Sequence, residues 1–243
     1  MTFDLNSAPI VLLAWERALA LPTDSLLSDT RDGRITHAAE TTELTFLRLW
    51  NQSILSGPAH LLAAAQEYSD DELSDHSTML RLTKLEGGRG LGTQALYYAD
   101  DLELHQPEHT VHVSTGTPEA LRLESLCPPD DVNDVGLSGR EHKFTVMDSG
   151  ESDAGPLACS AYAEHQGLLA QLGTLVAPNA RRQGLGRLAT SIAAHEALAA
   201  GLIVQWQSDV NNSAAHALAV GTGFSVAGLL TRISLQTGQT RHK

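Results

Sequence analysis

Apolar and polar positions alternate along the chain with helical and strand periods, and the changes between them mark its elements. Ile10 to Leu21 has helical spacing, Thr42 to Trp50 alternates as a strand, and Pro58 to Glu67 returns to a helical pattern. An acidic segment, Asp70 to Asp75, follows, and Ala95 to Tyr98 makes a further strand. Acidic residues and prolines from Asp100 to Pro107 interrupt the pattern and place a boundary there. Residues 1–107 are then an N-terminal α/β region and 108–243 a second domain.

The second region has the clearer pattern. His109 to Ser114 is a strand, and Thr117-Pro118-Glu119 supplies an N-cap and a proline at the first helical position for a helix through about Leu126. Phe144 to Met147 is a short strand and Gly150 to Gly155 a turn. Leu157 to Tyr162 and Leu168 to Val176 are strands joined around Glu164 to Gly167. Gln183 to Ala200 is a helix stopped by Gly201. Leu202 to Gln207 is a strand, Asn212 to Val220 a helix, and Phe224 to Leu235 one or two closing strands. The order β-α-β-β-β-α-β-α-β gives a mixed α/β class. Gly88 to Gly92 echoes Arg182 to Gly186, so the N-terminal region could be a degenerate copy of the second, but a flexible glycine loop is the simpler reading.

Composition narrows the partners. A chain of 243 residues can bury a core without disulfides, and two cysteines, Cys127 and Cys159, make no disulfide framework. They are expected to be buried or inert thiols. The N-terminus lacks a basic segment, and Glu16-Arg17 breaks its apolar run, so no signal peptide is expected. No apolar run reaches about 20 residues, the length needed to span a bilayer. A cytoplasmic protein is the expectation. The net charge of −13 argues against nucleic acid or anionic membrane as partners and would favour a cationic amine. A homodimer is compatible with this composition.

The chemistry concentrates in Val176-Ala-Pro-Asn-Ala-Arg-Arg-Gln-Gly-Leu-Gly-Arg187, where a hydrophobic strand ends and a helix begins. The first turn of a helix leaves N–H groups without intrahelical partners and carries partial positive charge. Gly184 and Gly186 offer no side chain to block a phosphate, and Arg181, Arg182 and Arg187 add charge. Screening removes exposed charges beyond about 8 Å at physiological salt, so the local arginines outweigh distant acids. The P-loop pattern is excluded because no lysine or hydroxyl residue is in register. The dinucleotide fingerprint fits poorly, since the next strand carries no acid before Asp209.

The spacing Arg181-x-x-Gly184-x-Gly186 resembles the pyrophosphate loop of the GNAT N-acetyltransferase superfamily. Asn212-Ser-Ala-Ala-His-Ala-Leu218, running on to Gly223-Phe224, resembles that superfamily's asparagine-led helix and the Gly-Phe that opens its next strand. The resemblance covers roughly residues 111–236. It implies a central mixed sheet flanked by helices in 108–243, and acetyl-CoA as co-substrate with no metal. It further implies that the backbone of Thr174, Leu175 and Val176 pairs with the pantetheine arm. Arg181, Arg182, Gln183, Gly184, Leu185, Gly186 and Arg187 would cradle the pyrophosphate, and Asn212 would bond the arm. Taken alone, Asn212 is equally an ordinary helix cap.

The implied activity is transfer of an acetyl group to a primary amine held by the unassigned N-terminal region. An ammonium with pKa near 10.4 holds its proton by about 3 units at pH 7, or about 4 kcal/mol, so a base is useful. Many family members carry a tyrosine seven residues after the helix asparagine, to protonate the thiolate; here that residue is Ala219. The strand before the phosphate turn has no carboxylate either. Glu164 and Asp209 are the catalytic candidates, with His165 and His216 as further possibilities. A non-catalytic acyl-CoA-binding or regulatory module is the alternative, and a nucleotide-binding protein using the same turn a third. His105, His109 and His112 complete no zinc pattern and are expected to be surface histidines.

Overall fold

The computed structural model describes residues 6–27, 33–103, 111–148 and 155–236. Its elements begin with helix α1 (Ala8–Ala18), strands β1 (Ile35–Ala38), β2 (Glu43–Leu49) and β3 (Gln52–Gly57), and helices α2 (Ala59–Ala64), α3 (Asp70–Ser74) and α4 (His76–Leu82). Strands β4 (Arg89–Ala99) and β5 (His112–Ser114) follow, then helices α5 (Thr117–Leu126) and α6 (Pro129–Val135). The remainder is β6 (His142–Met147), β7 (Pro156–His165), β8 (Leu169–Val176), α7 (Leu185–Ala199), β9 (Ile203–Asp209), α8 (Ser213–Thr222) and β10 (Ser225–Ser234). The fold is mixed α/β, with parallel and antiparallel strand pairs and helices on the sheet faces.

Contacts divide the chain into two compact units, neither of them one continuous stretch. The first takes in Met1–Ala14, Tyr97–Gln207 and Ala214–Ser225, the second Trp15–Leu96, Ser208–Ser213 and Val226–Lys243. In the first, β5, β6, β7 and β8 pair antiparallel in sequence, and β9 adds to β8 in parallel. Successive side chains of a strand point to opposite faces. Cys159, Ala161 and Leu175 therefore bury one face against Ala120 and Leu123 of α5 and Leu137. Val146 and Ala158 bury the other against Leu188 and Ala189 of α7. The alanines of α7 permit that close approach, with Ala189, Ala193, Ala194 and Ala197 fully buried.

In the second unit β1 pairs parallel with β3, β3 antiparallel with β2, and β2 antiparallel with β10. Leu44, Phe46, Leu55 and Ile233 pack under Leu61, Leu73 and Met79 of the covering helices. The acidic segment forms α3, opened by a capping box between Ser69 and Glu72, and Asp75 caps α4 through the N–H groups of Ser77 and Thr78.

Some expectations are corrected. Gly88 to Gly92 is neither a flexible loop nor a helix-opening turn; Arg89 to Gly92 is the first part of strand β4. Its glycines admit neighbours, because a Cβ at Gly88 would collide with Thr83 and one at Gly90 with His76. The cap of α5 is Gly116 rather than Thr117, with no side-chain cap bond, so Pro118 stands one place further in. Helix α7 starts at Leu185 rather than Gln183, because Arg182 (φ 65°) and Gly184 (φ 78°) hold left-handed conformations. Phe224 to Leu235 contains a single strand, β10, within the one or two expected. Positions 150–154 of the expected turn, His105, His109 and positions 104–107 of the expected boundary lie outside the described residues.

Candidate functional site

Strand β8 sets the geometry. Along β7 it is paired throughout, from His165↔Leu169 to Ala158↔Val176. Along β9 the register runs only from Leu169↔Ile203 to Leu172↔Trp206. Beyond that point Gly173 to Val176 have a strand partner on the β7 side alone, and the two parallel strands part. A side-chain bond from Gln171 Nε2 to Gln207 Oε1, 3.3 Å, bridges the neck of the opening. Thr174 turns its hydroxyl toward α7, where it meets Thr190 Oγ1 at 2.7 Å and also bonds Ser160. The backbone of Thr174, Leu175 and Val176 thus presents its other edge to the opening, as a strand edge offers unpaired N–H and C=O groups.

The chain leaves β8 through a short 3-10 turn, Pro178–Ala180, and enters the glycine loop. Gly184 is the N-cap of α7 and provides no side-chain cap bond, so the N–H groups of the first turn, Leu185, Gly186 and Arg187, are left for a ligand or water. Nothing stands within 4 Å of a Cβ built at Gly184, which leaves that approach open. Gly186 has a different role. A Cβ there would be 3.2 Å from Val176 Cγ2 and 3.7 Å from Leu218, so this glycine lets α7 pack against β8 and α8.

The loop cations are not equivalent. Arg182, Gln183 and Arg187 are exposed. Arg181 is held: its Nε donates to Val176 O at 3.3 Å and its Nη2 lies 2.6 Å from Asp131 Oδ2 on α6. Gln183 Nε2 donates to Asn179 O at 3.2 Å and braces the turn. Cys127 lies beneath, donating to Val176 O, and burial pushes its thiol above the usual range. Cationic side chains, an uncapped helix N-terminus and an open strand edge meet within the segment 173–187. Such a constellation can bind an anionic group at the helix end and an extended, amide-bearing chain along the strand.

The remaining sequence candidates fall elsewhere. Glu164 is exposed at the far end of β7, opposite Ala170, below the level at which β8 and β9 part. Asp209 ends β9 as a turn-former: its Oδ1 accepts the Asn211 N–H at 2.8 Å and its carbonyl the Asn212 N–H at 2.9 Å. Asp209 and Asn212 cluster with the second compact unit, and Asn212 leads into α8. His216 on α8 meets Tyr97 Oη through Nδ1 at 2.9 Å, with Tyr97 itself almost fully buried. Ala219 is fully buried, so a tyrosine there would have to enter the core. His112 lies on β5, and no group of three or more potential metal ligands occurs among the described residues. Asp131 and Tyr97 escaped the sequence reading: their roles depend on partners 50 and 119 residues away.

No protein-family model and no curated protein matches the chain. Solved structures do. The chain is similar to an acetyltransferase of the GNAT family from Colwellia psychrerythraea, at 18% identity and TM-score 0.45, over 61% of this chain and 57% of that one. It is similar to a GCN5-related N-acetyltransferase from Kribbella flavida, at 16% identity and TM-score 0.46, over 68% and 64%. A GCN5-related N-acetyltransferase-like protein from Streptococcus suis matches at 12% identity and TM-score 0.46, over 81% and 85%. The chain thus spans about three fifths of the length of the first two. No helix among the described residues is long and apolar enough to cross a membrane.

Proposed function

We propose that the protein is an acetyl-CoA-dependent N-acetyltransferase acting on a primary amine. The observation that carries the reading is the parting of β8 from β9 beside the uncapped N-terminus of α7. The pantetheine arm is a chain of amides that suits the edge of β8 from Thr174 to Val176, where the Val176 carbonyl already accepts from Arg181 and Cys127. The pyrophosphate suits the N–H groups of Leu185, Gly186 and Arg187, with Arg181, Arg182 and Gln183 around them and Gly184 leaving the approach clear. Asn212 is the candidate for an additional bond to the arm.

In the reaction the amine nitrogen attacks the thioester carbonyl carbon, the carbon–sulfur bond breaks, and the sulfur leaves as thiolate while nitrogen gives up its proton. Acetyl-CoA supplies the activated acyl group; this chain supplies position. Holding thioester and amine together can itself account for much of the acceleration. Glu164 and Asp209 remain the carboxylates proposed to take the proton, acting through water. The test is a panel of primary amines with acetyl-CoA, following free thiol. Release with no amine above background rejects the enzyme reading.

A second reading is favoured by one observation. Ala219, where a thiolate-protonating tyrosine would stand, is buried. A non-catalytic acyl-CoA-binding module accounts for that directly. It would be supported by acetyl-CoA that binds and stays intact with every acceptor.

A further inference from the structure

The sheet face opposite α7 carries a buried lysine and a half-buried arginine that the coenzyme reading does not use. Lys143 of β6, Ala161 of β7 and Gly173 of β8 lie side by side in one cross-strand row. Gly173 is also the first residue beyond the last β8–β9 pair. The Arg140 guanidinium lies directly over it: a Cβ at Gly173 would stand 2.9 Å from Nη2 and 3.0 Å from Cζ and Nε. The missing side chain therefore makes room for a planar cation at the neck of the opening. Arg140 Nε donates to Val135 O at 3.0 Å and Nη1 to Gln171 O, which orients the fork. Its Nη2 has no acceptor among the described residues.

Neither cation is balanced. Lys143 is only 7% exposed, and its Nζ donates to the Arg140 carbonyl. Neither Lys143 nor Arg140 has a carboxylate partner among the described residues. Burial also lowers the Arg140 pKa. Removing a charge from water without a counter-charge is costly, and sites that tolerate this state are relieved by an incoming anion. A further donor lies on the same face. Gln205, directly across from Gln171 in the register, is fully buried; its Oε1 accepts from Tyr98 Oη at 2.7 Å while its Nε2 has no partner among the described residues.

We propose that this cluster binds the carboxylate of the acceptor, so that the amine substrate is an amino acid or an amine bearing a carboxylate close to its nitrogen. The planar fork of Arg140 matches a carboxylate, with Lys143 adding charge and Gln205 a neutral donor. The amine then lies toward the gap between β8 and β9, across the sheet from α7. This inference rests on the transferase reading for the identity of the second substrate. A purely cationic amine would meet uncompensated positive charge at the same place.

The test sets each amino acid beside the amine it becomes on losing its carboxylate, in a calorimetric binding series and a thiol-release assay, with acetyl-CoA binding measured separately. Amino acids are expected to bind, and Arg140→Gln to weaken them by about 30-fold or more, the usual scale for truncating a buried hydrogen-bonded charge pair. Acetyl-CoA affinity should be unchanged in that variant. Because Arg140 also braces two carbonyls, Arg140→Lys and Lys143→Met are run in parallel, with melting curves. Decarboxylated amines that bind or react as well as their parent amino acids overturn the assignment, as do amino acids whose affinity is the same in all folded variants. Failure of acetyl-CoA to bind would instead count against the transferase reading, while amino-acid binding lost in Arg140→Gln would still uphold the carboxylate site.

Discussion

Replacing Asp131 by asparagine should strengthen coenzyme binding. In the free protein Arg181 Nη2 is engaged by Asp131 Oδ2 at 2.6 Å, and a phosphate ligand must compete for the same guanidinium. The side chains are 44% and 41% exposed, so solvent screens the pair heavily. Ion pairs so exposed contribute about 0.2–1 kcal/mol. Removing that competition converts to a gain in affinity of about 1.4- to 5-fold at 25 °C. The gain should be largest at low ionic strength and vanish near 1 M salt, where the screening length is about 3 Å. Asp131 also lies in the first turn of α6, so the variant should lose about 0.3–1 kcal/mol of helix-end stabilisation and remain folded. Calorimetric titration of wild type and Asp131→Asn with acetyl-CoA at two salt concentrations, with melting curves, measures all of this. Equal or weaker binding by the variant at low salt would show that Arg181 does not meet the phosphate.

Other variants probe separate parts of the account. Gly184→Asp should abolish coenzyme binding by placing negative charge at the phosphate position, whereas Gly184→Asn, which tolerates the left-handed conformation, should bind measurably; equal affinities would refute the assigned site. Ala219→Tyr should not add a catalytic acid but should destabilise the fold by about 1–3 kcal/mol or more through overpacking, seen as a lower melting temperature. Asp75 caps α4, and its hydrogen bonds with Ser77 and Thr78 lower its pKa from 3.8 to about 2. A carboxylate with a depressed folded-state pKa stabilises the fold above its unfolded value and loses that contribution as pH falls toward 2. Asp75→Asn should therefore leave a smaller stability difference from wild type at pH 2 than at pH 6; a difference independent of pH would contradict the capping role.

The second half of the chain was legible because its signals are local. Glycines with positive φ punctuate the loop before α7 and the turn at Gly201, and the alanine pattern of α7 fits its buried face. The end of β8 and the start of the helix can be read within twelve residues. The N-terminal half gave less away, for identifiable reasons. Ser69-x-x-Glu72 is a readable capping box, but α3 and α4 are too short to repeat the helical period more than once. The hairpin between β2 and β3 turns on Trp50 at φ 48° rather than on an Asn-Gly pair, so β3 carried no turn signal. Gly90 of β4 answers to His76 on α4, a contact that the strand's own pattern does not reveal.

At the site, the strand edge, glycine loop and arginines followed from the residues themselves. The parting of β8 and β9, the grip of Asp131 on Arg181 and the seat of Arg140 over Gly173 depend on register and on packing between distant segments. Glu164 was read from its place just before β8; pairing puts it opposite Ala170, so its proposed role needs a relay of water to the opening.

The most direct test of the account is calorimetric titration of the full chain with acetyl-CoA, run beside ATP and NAD. Micromolar, one-to-one binding of acetyl-CoA, not displaced by either nucleotide and lost in Gly184→Asp, is the predicted result. No binding of acetyl-CoA, or equal binding of all three, would contradict the claim that the β8 edge and the α7 N-terminus form a coenzyme A site.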